Sequence, residues 1–165
     1  VTQDNNDSPI VEECGREALA QVNGFLEAAG LLAQASISRI DEDIVNIDIT
    51  GEEAFYLVGR RGGVIDALQY LILVMVTHDK PGTTRVRVHL DADNYRKRRE
   101  ESLKSLARSL ADQVRATGEE AVLEPLNALE RRIVHTELAD DSDVSTYSEG
   151  EDPDRHIVIT PRKPS

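Results

Sequence analysis

Gly59-Arg60-Arg61-Gly62-Gly63 combines features that suit a phosphate. Glycines let the backbone approach a ligand closely. A following helix would open with unpaired N–H groups and the positive end of its dipole. Two arginines between the glycines add charge, so the segment reads as a site for a nucleic-acid phosphate. Alone, a G-x-x-G is more often a tight turn with solvated arginines. The loop is expected to be exposed, so that replacing Gly59 or Gly62 by Asp should weaken binding and spare the fold. A second constellation is Arg131 and His135, four apart on a predicted helix and hence on one face. Arginine can grip phosphate bidentately and a nearby imidazole can add a donor. By itself that pair reads as ordinary surface.

The elements that must hold these residues follow from apolar period. Ser8-Pro9 reads as N-cap and first helical residue, and Val11, Cys14, Ala18, Val22, Phe25, Leu26 and Ala29 give one helical stripe closed by Gly30. Residues 33–40 and 44–50 alternate as strands about the turn Asp41-Glu42-Asp43. Apolar runs lie on both sides of the glycine loop, 54–58 and 64–76, and residues 84–90 form a further strand. Asp91-Ala92-Asp93 can cap a helix running to Arg115, with Tyr95, Leu103, Leu106, Leu110 and Val114 as its stripe and Gly118 beyond its end. Arg96, Lys97, Arg98 and Arg99 crowd its first turns, where cations oppose the helix dipole. They are either a solvated face or a second patch facing an anion. A short strand at 122–125, a helix at 127–138 and paired strands at 144–148 and 155–160 complete the chain, with a loose tail at 161–165.

Net charge is −12 over 165 residues, but its distribution is uneven. Residues 1–54 carry −10, residues 55–108 carry +5 and residues 109–165 carry −7. The one basic block contains the glycine loop, which makes any nucleic-acid contact local. With two Phe, four Tyr and no Trp, large aromatic stacking platforms are not expected. The single Cys14 excludes an intramolecular disulfide and reads as buried and structural. His78, His89, His135 and His156 are scattered without metal-ligand spacing. The glycine loop lacks the Lys and Ser/Thr of a nucleotide-binding P-loop. The acidic clusters 41–43 and 140–143 read as solvated loops. Neither catalytic residues, nor a metal, nor a cofactor is expected. The longest apolar run is too short for a bilayer and no signal peptide is evident, so a cytoplasmic protein without membrane insertion is expected.

Strand, short helix, G-x-x-G, long helix and strand together resemble a KH domain, whose loop clamps single-stranded backbone. The stretches Asn94-Tyr95-Arg96-Lys97-Arg98-Arg99, Leu123-Glu124-Pro125-Leu126-Asn127, Glu130-Arg131-Arg132-Ile133-Val134-His135 and Thr146-Tyr147-Ser148-Glu149-Gly150 resemble an R-three-H domain. A KH module followed by an R-three-H module is the arrangement of the bacterial Jag/KhpB family, the SpoIIIJ-associated proteins. The phrase Gly59-Arg60-Arg61-Gly62…Asp66-Ala67-Leu68-Gln69-Tyr70-Leu71 is similar to that family as well.

The resemblance implies an α+β fold: a disordered acidic leader over 1–9, a type II KH domain over 10–91 and an R-three-H domain with a flexible tail over 92–165. The family's N-terminal Jag domain is expected to be missing. The resemblance also implies a non-enzymatic protein binding single-stranded RNA, or single-stranded DNA, as an RNA chaperone or post-transcriptional regulator linked to cell elongation, cell shape and peptidoglycan homeostasis. Its implied partner is the small KH-only protein KhpA, or a second copy through the KH domain. The alternative is an adaptor working through KH–KH pairing alone. Gly59, Arg60, Arg61 and Gly62 fall on the KH clamp, and Arg131 and His135 on the second signature. Arg96, Arg98, Arg99 and Arg132 are further candidates for RNA contact.

Overall fold

The computed structural model describes residues 8–78, 80, 83 and 85–162. The chain divides into two compact units, Val1–Arg96 and Lys97–Ser165. Both mix helix and strand, and the fold is α+β.

In the first unit α1 spans Ser8–Ala28, so Ser8 and Pro9 belong to the helix rather than to a leader; residues 1–7 lie outside the described residues. Val11, Cys14, Ala18, Val22 and Leu26 are buried at steps of three and four. Phe25, expected on that stripe, is 43% exposed, because the turn from Val22 to Leu26 leaves it off the buried face. Ala29 is exposed too. Gly30, at φ 67°, ends the helix in a Schellman motif, with its N–H donating to the Glu27 carbonyl and the Leu31 N–H to the Leu26 carbonyl.

Strands β1 (Gln34–Asp41) and β2 (Ile44–Thr50) pair antiparallel, and β2 pairs parallel with β3 (Arg87–Ala92). The sheet order is β1-β2-β3. Between β2 and β3 come a one-turn 3-10 helix at Ala54–Leu57, a tight turn at Arg60–Gly62 and α2 (Gly63–Thr77). Helix, two strands, short helix, long helix and strand with a mixed sheet is the arrangement expected of a type II KH domain. Val45, Ile47 and Ile49 of β2 and Val88 and Leu90 of β3 pack against Ile65, Ile72 and Val76 of α2 and against α1. Cys14 is buried there, its Sγ 3.8 Å from the Val76 carbonyl oxygen. Ladder pairing of β3 starts at Arg87, opposite Ile44 where β2 itself starts, later than the expected 84, which lies outside the described residues.

In the second unit α3 (Tyr95–Thr117, beginning in the first unit) and α4 (Ala128–Glu137) cover a sheet of order β4-β6-β5. Its strands are β4 (Ala121–Val122), β5 (Val144–Glu149) and β6 (His156–Pro161), all antiparallel. The buried stripe of α3 is Leu103, Ala107, Ala111 and Val114, not the Leu106 line: Leu106 is 46% exposed. Alanines bring the helix axis close to its neighbours, so the small residues and not the larger leucine define the packed face. Asn127 and Glu130 form a capping box at the start of α4, with the Asn127 side chain accepting from the Glu130 N–H and Glu130 accepting from the Asn127 N–H. Pro161 lies in β6 and the Arg162 N–H still donates to the Asp143 carbonyl, so the tail is ordered two residues further than expected. Among the described residues no helix is long and apolar enough to cross a membrane.

Candidate nucleic-acid interface

The glycine loop is built by backbone conformations that ordinary residues avoid. Gly59 has φ 64°, Arg61 φ 56° and Gly62 φ 81°, three residues at positive φ within four positions. For Arg61, which carries a Cβ, that conformation is strained, and such strain clusters at ligand clamps. Helix α2 starts directly after Gly62, so its first N–H groups open at the loop. Arg60 is exposed and Arg61 half-buried.

The loop is not simply exposed. Gly62 is buried, and a Cβ there would stand 2.8 Å from Cε1 of Tyr95. A Cβ on Gly59 would run into the Val64 side chain. Both glycines are therefore demanded by the fold as well as by any ligand, which overturns the expectation that their replacement spares the structure.

Tyr95 backs the loop, and its neighbour Arg96 fastens the same corner. The Arg96 Nε donates to the Leu90 carbonyl at 3.0 Å, while Nη2 reaches Asp66 at 2.9 Å and Gln69 at 3.1 Å. Gln69 in turn accepts from the Leu90 N–H. Arg96 thus ties α2 to the end of β3, holding the loop rather than standing as a solvated cation.

Two aromatic residues beside the loop escaped the sequence pattern. Phe55 and Tyr56 are 54% and 59% exposed, with ring centroids 4.1 Å apart and planes tilted by 34°. A period of 3.6 would turn one of them inward; the three-residue period of the 3-10 helix buries Ala54 and Leu57 instead.

In the second unit the predicted cations separate into two groups. Arg98 and Arg132 are exposed. Arg99 donates from Nε to the buried Glu130 carboxylate at 2.7 Å. Arg131 is buried, and its Nη1 donates to the Leu126 carbonyl at 2.7 Å and to Asp152 at 3.0 Å. His135 is half-buried, with Nδ1 2.6 Å from the Thr146 hydroxyl and Nε2 3.2 Å from the Ser148 hydroxyl. Burial, and then the neighbouring Arg131 guanidinium, push its pKa below the usual imidazole value. Arg131 and His135 share a helix face as expected, but that face is turned into the unit. Among the described residues no group of three or more His, Cys, Asp or Glu is placed to hold a metal.

A model of the R-three-H domain matches residues 101–161. Three curated relatives, each named RNA-binding protein KhpB, align with most of the chain. The Clostridium symbiosum protein is 42% identical over 119 residues, covering 72% of this chain and 53% of that protein. The Lactiplantibacillus plantarum protein is 44% identical over 119 residues, 72% of this chain and 36% of the relative. The Bacillus subtilis protein is 40% identical over 121 residues, 72% and 57% respectively. The chain therefore spans less than two thirds of the length of each. With an R-three-H domain following a unit of KH-like order, and with these identities, the chain belongs to the KhpB/Jag family.

Proposed function

We propose that this chain binds single-stranded RNA without catalysing a reaction, and that the Gly59–Gly62 loop grips the RNA backbone. The observation that carries this reading is the strained loop itself: two glycines at positive φ enclose two arginines, one of them at positive φ as well, at the opening of a fifteen-residue helix. The names of the relatives agree with it. Gly59 and Gly62 shape the clamp, and Arg60 and Arg61 supply charge. In the second unit the exposed Arg98 and Arg132 make the contacts. Arg96, Arg99, Arg131 and His135 act by holding the framework. Single-stranded DNA fits the same backbone chemistry more weakly if 2′-hydroxyls contribute.

In the cell this reading corresponds to a cytoplasmic RNA chaperone or post-transcriptional regulator, serving cell elongation, cell shape and peptidoglycan homeostasis as the family resemblance implies. A second reading, pairing with the small KH-only protein KhpA or with another copy, is favoured by one observation. Helix α2 leaves Tyr70, Leu71, Val74 and Met75 between 40% and 67% exposed, a large apolar face for one helix. The two readings are compatible and separable. Arg60→Glu with Arg61→Glu should abolish binding to a labelled single-stranded RNA in an anisotropy titration, while pull-down of a KH partner persists. Retained RNA affinity in the folded variant would overturn the clamp.

A further inference from the structure

We infer that Phe55 and Tyr56 form a stacking subsite for an unpaired nucleobase of the strand held at the glycine loop. The inference rests on the clamp reading and goes beyond it, because a backbone clamp by itself needs no aromatic residue.

Ala54 and Leu57 are 0% and 2% exposed and anchor the 3-10 helix in the core of the first unit. Residues three apart eclipse in a 3-10 helix, so Phe55 and Tyr56 are left with no inward direction. The two rings lean against each other, and both residues stay more than half exposed. Two large, half-exposed aromatic residues side by side lose burial that the fold could have used, since such rings dominate the energetics of cores and interfaces.

The occupant follows from position. Phe55 precedes Arg60 by five residues, so the chain between them spans at most about 17 Å. A strand whose phosphates lie against Arg60 and Arg61 brings its bases within reach of those rings. Base–aromatic stacking needs only a π-face, so the subsite accepts any base, and purines, with the larger face, stack best. The chain has six aromatic residues in all, and Phe55 and Tyr56, which pair with each other, precede the two-arginine glycine loop by a few residues.

The test uses the whole chain and a labelled single-stranded RNA of about ten nucleotides, with copies carrying one abasic position stepped along the strand. Phe55→Ala with Tyr56→Ala is expected to weaken binding about five- to a hundredfold. The dependence on salt should stay unchanged, because stacking releases no counterions. One abasic position should cost the unmutated chain a similar factor and cost the double variant nothing. Tyr56→Phe should retain affinity. Because the chain contains no tryptophan, Phe55→Trp supplies a single indole whose emission should be quenched by the RNA. A flat abasic scan together with unchanged affinity in the double variant overturns the subsite while leaving the clamp intact. Loss of a protein partner instead of RNA assigns the rings to a protein interface and overturns it as well. Salt-independent binding that ignores Arg60→Gln and Arg61→Gln would instead remove the clamp reading. Absence of any RNA binding removes both.

Discussion

The Arg131 guanidinium lies 3.0 Å from the Asp152 carboxylate, with only 9% of the arginine side chain exposed and 69% of the aspartate. The same nitrogen donates to the Leu126 carbonyl at 2.7 Å. One arginine thereby fastens the residues leading into α4 and the loop between β5 and β6 to the helix that carries it. A phosphate approaching Nη1 of Arg131 competes with Asp152 for it.

Replacing Arg131 by Ala should therefore act on stability. It removes a buried charge-assisted bond to a backbone carbonyl, a loss on the order of 1.5–3 kcal/mol. In a unit of this size that lowers the melting temperature by roughly 10 °C. Arg132→Ala, one residue along and exposed, should stay within about 0.5 kcal/mol of the parent while weakening RNA binding. Thermal melts and anisotropy titrations on both variants check this. Equal melting temperatures for the two would contradict the buried role of Arg131.

Gly62 and Gly63 are adjacent and should respond in opposite directions. Gly62 has φ 81° and its Cβ would meet the Tyr95 ring, so Gly62→Ala should destabilise the first unit by about 1–3 kcal/mol. Gly63 has φ −62° with nothing within 4 Å of its Cβ position, so Gly63→Ala should stabilise by about 0.4–1 kcal/mol. Chemical denaturation of both variants decides it, and a destabilising Gly63→Ala would show that the first turn of α2 is constrained in some further way.

His135 gives the second unit a pH dependence. Its folded pKa lies below the unfolded value of 6.5, first through burial and then through Arg131. The unfolded chain therefore binds the proton more readily, and stability rises with pH through that window. The contribution is complete above about pH 6.5 and is lost as pH falls from there toward the folded value. His89 in the first unit is shifted the same way, by burial and then by Arg96 and Arg87. Melts of the parent should drop between about pH 7.5 and 5.5, and His135→Asn should flatten that drop. A variant with the parental slope would mean that another group carries it.

Local chemistry was legible in the residues. The Schellman ending at Gly30, the Asn127/Glu130 capping box and the alternation of Val45, Ile47 and Ile49 are each written within a few positions. What escaped was decided over longer range or by a different period. Asp152 reaches Arg131 from 21 residues away, and Tyr95 reaches Gly62 from the start of another helix. No local pattern announces either contact. Phe55 and Tyr56 read as part of an apolar helical run, and only the 3-10 turn sets their direction. Leu106 lost the buried face of α3 to Ala107, because close packing favours the residue that fits over the one that is more apolar.

The most direct test of the clamp is the salt dependence of affinity for a single-stranded RNA, measured on the parent and on Arg60→Gln with Arg61→Gln. Single strands give a slope of about −0.7 per neutralised phosphate, and a KH loop engages about four backbone nucleotides. The parent should therefore show a slope of log affinity against log salt of about −3, steeper if the second unit joins. The double variant should bind more weakly with a slope smaller in magnitude by about 1.4. Identical affinities and slopes in two folded proteins, or a parental slope near zero, would contradict the assignment of the RNA backbone to the glycine loop.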